Sequence, residues 1–416
     1  MSEWKKTSIG NLCTIKHGFA YKGEYITNEE CSNVLVTPGN FTLSGGFKMM
    51  DKPKYYKGPI EKEYILKEGD LIVTMTDLSK GIDTLGYSAL VPKIHGITFH
   101  HNQRIGLIEN ISEEVDKGFL YWTMRTRPYQ RFVANSSSGT TVHHTSPNNI
   151  ARYSFLLPPL AEQKSIASFL SSLDDKIAVN RRICENLEAQ AQALFKHWFI
   201  DFAPFKNGKF VESELGMIPE GWRVGTLGEA CKCELGGTPS RANKSYWGGN
   251  IAWINSGEVN KFRICEASEY ITEDGLNHSA TKLLPAKTTV LAITGATLGQ
   301  VSLLEIDSCA NQSVVGVKEN SKVPYTFIYP AIKSKIKELV NMQTGGAQQH
   351  INKDNIQSLR IAIPPQNIME EYKSATIPMY NEIGNLCFEN LRLSTLRDTL
   401  LPRLMSGELQ VNKTDR

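Results

Sequence analysis

The chain has 416 residues, enough for two domains of roughly 100 to 200 residues each with connections between them. Its net charge of +3 excludes a strongly basic tail, and no apolar run approaches the ~20 residues needed to cross a bilayer. There is no signal-peptide core near the N-terminus, and the eight cysteines follow no regular framework, so the composition suits a soluble cytoplasmic protein with reduced thiols and no membrane partner.

Taken from the N-terminus, a Trp-plus-Gly segment (Trp4, Gly10, Gly18, Gly39) opens a region of short β-rich runs such as GDLIVTM, Gly69 to Met75. Lys22, Lys48, Lys52, Lys54 and Lys57 cluster near Tyr55 and Tyr56, a plausible stretch for following a phosphate backbone, although charge runs are often only solvated faces. His100, His101, Asn102, Gln103 and Arg104 form a polar run, and Gly139 introduces the loop SSSGTTVHH with Thr140, Thr141 and His143. Small and polar side chains there allow close backbone approach to phosphates. Pro158 and Pro159 then open a long helical stretch. Apolar or small residues at Ile166, Leu170, Leu173, Ile177, Cys184, Leu187, Ala191, Leu194 and Trp198 form a coiled-coil seam, with Asn180 on the stripe. The 39 residues from Leu160 to Trp198 would span roughly 58 Å as a helix.

The same order then recurs. Trp222, Gly228, Gly236 and Gly257 stand 218 residues after Trp4, Gly10, Gly18 and Gly39; Asn311 and Gln312 stand 209 after Asn102 and Gln103; Gly345, His350, Asn355, Ile356, Pro364 and Pro365 stand 206 after Gly139, His144, Asn149, Ile150, Pro158 and Pro159. A period this long means a duplicated domain. In the second copy GGTPSRANKSYW supplies Arg241 and Lys244 for phosphates, with Tyr246 and Trp247 as stacking or packing groups. TTVLAIT repeats the β-rich run, and QTGGAQQH repeats the glycine loop with Gly346, Ala347, Gln348 and Gln349. The final helical stretch carries Met379, Ile383, Leu386, Leu393, Leu400 and Leu404, interrupted by Asn390 and Arg397, and Pro378 should kink or split it. Asn180 and Asn390 count to different heptad phases and are not expected to pair.

Several strings together resemble the DNA specificity subunits of type I restriction-modification enzymes. They are LPPLAEQKSIASFLSSLDDKI and NRRICENLEAQAQALFKHWFIDF in the centre, ELGMIPEGWRVGTLGE and GGTPSRANKSYWGGNIAWINSGEV at the second copy, and LRLSTLRDTLLPRLMSGEL at the end. The resemblance covers nearly the whole chain. The first copy lacks the GGTPSR wording and belongs to a different recognition subclass by that measure.

The fold expected is α+β: two similar globular α/β target recognition domains separated by two long antiparallel helices in a coiled coil, related by a pseudo-two-fold. The boundaries are 1–157 for the first domain, 158–203 for the central helix, 204–363 for a linker and the second domain, 364–410 for the C-terminal helix and 411–416 for a tail. The resemblance implies a chain without catalytic activity or cofactor of its own that reads a bipartite target in double-stranded DNA and recruits two methyltransferase subunits and, for cleavage, two restriction subunits. Those partners would use S-adenosylmethionine, ATP and Mg. The helix faces around Lys176 to Arg182 and Arg392 to Arg403 would carry partner contacts.

Candidate DNA contacts are Lys22, Lys54, Lys57, His101, Asn102, Gln103, Arg104, Gly139, Thr140, Thr141 and His143 in the first copy. In the second they are Arg241, Lys244, Tyr246, Asn311, Gln312, Gly345, Gly346, Gln348 and Gln349. Residues shared by the copies more naturally serve the fold, and those that differ at matched positions, such as Arg104 against Ser313, carry sequence information. The Asn-Gln pairs, though suited to adenine edges, also suit turn backbone. The runner-up reading is a two-headed scaffold that grips proteins without touching DNA. No P-loop, dinucleotide-binding, zinc-protease or nucleophile-elbow motif is present. Cys231, Cys233, Cys265 and Cys309 lack zinc-site spacing, and the histidines lack neighbouring ligands, so no metal is expected.

Overall fold

The structure is a computed structural model that describes residues 4–79, 81–342 and 350–411. It is α+β, and contacts divide it into two compact units, Met1–Lys176 with Leu393–Arg416 and Ile177–Arg392.

In the first unit the strand Lys5–Ser8 pairs antiparallel with Ser154–Leu157, joining the two ends of the domain. The central sheet is antiparallel, in the order Thr14–His17, Ile105–Glu109, Leu71–Thr74 and Ser88–Leu90. Leu71, Ile72, Val73 and Thr74 are all buried, as a strand covered on both faces demands, and their branched side chains suit that position. A second, mixed sheet runs Ile26–Thr27, Tyr55–Tyr56, Asn33–Val36 and Thr98–His101, its last pair parallel.

The second unit repeats this plan. Arg223–Thr226 pairs with Arg360–Ile363, and the central sheet runs Lys232–Leu235, Val314–Lys318, Thr289–Ala292 and Val301–Leu303. Trp247–Ile254 pairs parallel with Cys309–Ala310, matching the parallel pair of the first unit. Elements fall at the offsets read from the sequence: 218 for the strands Arg223–Thr226, Lys232–Leu235 and Thr289–Ala292 and the short helix Leu227–Ala230, 209 for Val314–Lys318, and 206 for the helix Lys353–Gln357 and the closing strand. Where the first copy has two helices, Lys117–Thr123 and Arg127–Asn135, the second has one, Tyr325–Asn341, with Pro330 inside it. In the first copy Thr126 caps the new helix by accepting from the Tyr129 N–H, and Pro128 occupies its first turn.

Each Pro-Pro opens a helix of 40 residues, Leu160–Phe199 and Gln366–Met405. Pro378 does not split the second. It faces solvent, where the Ser374 carbonyl, to which Pro378 has no N–H to donate, can be hydrated, while Tyr372, Thr376 and Tyr380 hold the opposite face in the core. The ends of these helices are built into the domains rather than standing clear of them. Ile166, Ala167, Leu170, Leu401 and Leu404 join the core of the first unit, and Phe195, Phe199, Met369 and Tyr372 that of the second.

Within the second unit Cys184 packs with Ile383 and Leu386, and Ala191 with Tyr380, so the two helices run antiparallel there. Asn180 and Asn390 do pair, Nδ2 donating to Oδ1 at 3.0 Å, with Glu389 accepting at 2.7 Å. Heptad phase counted along each helix missed this, because an antiparallel partner is fixed by the sum of positions. In the first unit Asp174 bridges Arg125 at 2.6 Å and Arg397 at 2.5 Å, which accounts for the polar interruption at Arg397.

Candidate nucleic-acid interface

Loops converge at one end of the central sheet in the first unit. His17 pairs with Gly106 and Ile105 with Thr74, so the chain leaves the strand at Gly18, enters it from Arg104 and leaves it again at Met75 on the same side. These loops are tied to one another. The Phe19 N–H donates to the His101 carbonyl and the Gln103 N–H to the Phe19 carbonyl, both at 2.9 Å. Asn102 Oδ1 accepts from the Arg104 N–H at 3.1 Å. The Met75 N–H donates to the Arg104 carbonyl at 2.9 Å, and the Thr145 N–H to the Met75 carbonyl at 3.0 Å. His143 and His144 then pair with Asp77 and Thr76, which lays the Gly139 loop beside the other two. Gly139 has φ +105, and a Cβ on it would stand 2.0 Å from the Val142 carbonyl oxygen, so the turn needs a glycine.

The second unit uses the same bonds. Asn311 Oδ1 accepts from the Ser313 N–H at 3.0 Å, the Ile293 N–H donates to the Ser313 carbonyl at 2.9 Å, and the Ile351 N–H donates to the Ile293 carbonyl at 3.1 Å. Thr294 bridges His350 as Thr76 pairs with His144. The matched glycines explain themselves here. A Cβ on Gly18 would lie 2.1 Å from the Asn102 carbonyl oxygen, and one on Gly236 would lie 2.2 Å from that of Asn311.

The structure brings Asn102, Gln103, Arg104, Gly139, Thr140, Thr141 and His143 to this end of the first sheet; Gln103, Arg104, Thr140 and Thr141 are exposed. Asn102 and Asn311 spend their side-chain oxygens on the turn. Gln312 accepts from the Thr238 hydroxyl, which ties the GGTPSR segment to this loop. His101 does not reach the surface and is corrected here: it is fully buried, its Nε2–H donates to the Ile105 carbonyl at 2.8 Å, and burial pulls its pKa down to about 4. A neutral imidazole inside the core cannot contact a phosphate or a base. His100 is buried as well, bonded to Asn33.

Lys22, Lys54 and Lys57 are exposed and lie on segments flanking strands of the mixed sheet, Lys57 being paired with Glu29 at 2.5 Å. Arg241 lies 3.6 Å above the Trp247 ring and pairs with Glu269 at 2.7 Å. Lys244 is exposed, and Tyr246 stacks with His278 at a centroid distance of 6.3 Å. Trp247 and Trp253 donate to the Ser240 and Gly237 carbonyls, so the aromatics of this segment pack it down. Gly345, Gly346, Gln348 and Gln349 lie outside the described residues.

Sequence reasoning missed the loop after Met75. Asp77 organises it, accepting from the N–H groups of Ser79, Thr84 and Leu85 at 2.6, 2.6 and 3.0 Å and from the Thr84 hydroxyl at 2.8 Å. Burial would raise its pKa, and these donors reverse that to a net lowering. The signal was available: Thr76 and Thr294 stand 218 apart, each just past a strand already recognised.

The description "type I restriction modification DNA specificity domain" matches this chain over residues 1–189 and again over 219–373. The chain belongs to that family. Each match covers one of the two repeats and runs into the long helix that follows it. The specificity subunit of the type I restriction enzyme MjaIX from Methanocaldococcus jannaschii is 30% identical over 71% of this chain and 69% of its own length. The HindI specificity subunit from Haemophilus influenzae is 24% identical over 98% of this chain and 100% of its own length. The crystal structure of a type I restriction-modification S subunit from M. genitalium aligns with a TM-score of 0.60 at 17% identity, covering 97% of this chain and 96% of that one, a likeness of fold. This family member therefore carries two DNA specificity domains, and among its described residues no helix is long and apolar enough to cross a membrane.

Proposed function

We propose that this chain is the non-catalytic, cytoplasmic specificity subunit of a type I restriction-modification complex, reading a bipartite DNA target with one half assigned to each domain. The observation that carries this is the geometry of the loop cluster shared by the repeats: matching bonds at the same end of the same sheet, with Arg104 in the first copy standing where Ser313 stands in the second. The two 40-residue helices, each passing from one unit into the other, would act as a coiled-coil spacer that sets the gap between half-sites. Two methyltransferase subunits would dock on the helical regions and flip and methylate the target bases, and two restriction subunits would join for cleavage. S-adenosylmethionine, ATP and Mg belong to those partners.

Mapping methylated sites with the assembled complex tests this. Arg104→Ala should relax one position in one half of the target, with a loss there of about 1–3 kcal/mol. Lys22→Ala and Lys54→Ala should weaken binding to all sequences alike and lower its salt dependence. An Arg104→Ala complex with the same target and the same rate counts against the assignment.

A further inference from the structure

The two copies close the same sheet with loops of different length. In the first, the Gly86 N–H donates to the Thr74 carbonyl at 3.0 Å, the Thr74 N–H to the Tyr87 carbonyl at 3.1 Å and the Tyr87 N–H to the Thr84 carbonyl at 3.1 Å. In the second, the N–H groups of Gly299, Ala292 and Gln300 make the matching bonds to Ala292, Gln300 and Thr297, at 2.9, 2.9 and 3.0 Å. Gly86 and Gly299 share a positive φ, +87 and +85. Between these matched ends Gly295 and Ala296 suffice in the second copy, whereas the first has residues 77–83, five more. Closing the sheet does not require them.

The longer loop is nevertheless held in one shape. Asp77, 2% exposed, stands where the second copy has Gly295 and binds three backbone N–H groups and the Thr84 hydroxyl. Ser79 Oγ accepts from the Asp83 N–H at 2.9 Å, and the Gln130 side-chain amide donates to the Ile82 carbonyl at 2.7 Å. Ile82 packs on the core of the unit at φ +52, where a β-branched residue is strained. Strain held in a loop that the fold does not need points to a use outside the fold. What the loop presents is Leu78, 60% exposed, immediately past the strand that pairs with His143 and His144, at the end of the sheet where the candidate contacts gather. Residues 78–83 carry one lysine and one aspartate, hence no net charge, and suit base edges better than phosphates.

We propose that this loop is a specificity element for the first half-site alone, with Leu78 making an apolar contact to a base edge and Asp77 acting as the residue that positions it. The inference rests on the reading of DNA proposed above and adds to it that the two domains read with unequal sets of loops.

Methylation mapping with the assembled complex tests it. Replacing residues 77–83 by Gly-Ala, the second copy's own link between these bonds, should cut discrimination at one or two positions of the first half-site by about 5- to 150-fold, the worth of a good base contact. The second half-site, the gap and the salt dependence of binding should stay as they are. Leu78→Ala trims only an exposed side chain and should relax one of those positions by about fourfold or more, which keeps the test open where the replacement fails to assemble. Asp77→Asn should relax the same position with Leu78 still present, whereas a purely structural role would slow methylation of all sites alike. An unchanged first half-site in the replacement and in Leu78→Ala overturns the proposal. So does a loss spread over all sequences with a smaller salt slope, which would make the loop a phosphate contact. Arg104→Ala separates this role from the wider reading: if it relaxes the first half-site while the loop variants do not, only the loop's role falls, and if none of them alters the target, the reading of DNA falls as well.

Discussion

A methyl group at Gly18 would sit 2.1 Å from the Asn102 carbonyl oxygen, a backbone atom that cannot swing aside. Gly18→Ala must therefore displace the strand exit or the Gln103–Arg104 turn, at a cost of about 1–3 kcal/mol as in other overpacked sites. For a unit of this size that corresponds to a fall in Tm of roughly 2–12 °C. Gly23, with nothing within 4 Å of a Cβ, is the matched control, and Gly23→Ala should leave the melting curve where it is. Thermal unfolding followed by circular dichroism separates the two, and an unshifted melt for Gly18→Ala would show that the loop cluster is softer than its bonds imply. The pairing of Gly18 with Gly236 was legible in the sequence as a repeat. Its reason was not, since it lies in a tertiary approach from a loop more than eighty residues away. His101 and Arg104 show the same limit: both differ from their counterparts in the second copy, yet one is sealed in the core and the other exposed, and only the strand end between them decides which.

At the scale of elements, the long helices were readable from their apolar stripes and from the Pro-Pro openings, while the polar breaks in those stripes were not. Asn180 finds Asn390, and Arg397 finds Asp174, because an antiparallel neighbour supplies partners that no local count reveals. Asp174 is the more consequential of these. It accepts from Arg125, whose side chain is 2% exposed, and from Arg397. Burial would raise its pKa, but the two guanidinium groups outweigh burial, and the net shift is downward. A carboxyl whose folded pKa is depressed contributes stability that is fully present above its unfolded value, near 3.9, and is lost as pH falls through the lower folded value. At pH 7 Asp174→Asn leaves a buried arginine without its counter-charge, and the expected loss is about 3–5 kcal/mol. Denaturant titrations at pH 7 and near pH 3 should show that loss shrinking on acidification, because below about 3.9 the unfolded chain takes up a proton that the folded Asp174 carboxyl resists. An equal loss at both pH values would mean that shape rather than charge holds the junction.

The duplication organises the whole chain. At the offset of 206, Asn180 corresponds to Leu386 and Cys184 to Asn390, so the polar pair Asn180–Asn390 has Leu386–Cys184 as its repeat-related counterpart. One polar and one apolar layer at equivalent places give the helix pair a fixed register, since sliding either helix would bury an asparagine against leucine. If the helices set the gap between half-sites, as proposed, then inserting four residues after Lys176 and four after Arg392, at the boundary between the two units, should alter the target in a definite way. Four residues add about 6 Å of helix and turn it about 40° beyond a full revolution. One DNA base pair turns the duplex by about 34–36°. Rotation therefore favours one added base pair, and local unwinding of the helix pair, of the kind a four-residue insertion causes, takes up the remainder. Methylation mapping of the assembled complex should return both half-site sequences unchanged and separated by one more unspecified base pair. Unchanged spacing would remove the spacer role from the helices, and altered half-sites would show that the insertion had reached the domains instead.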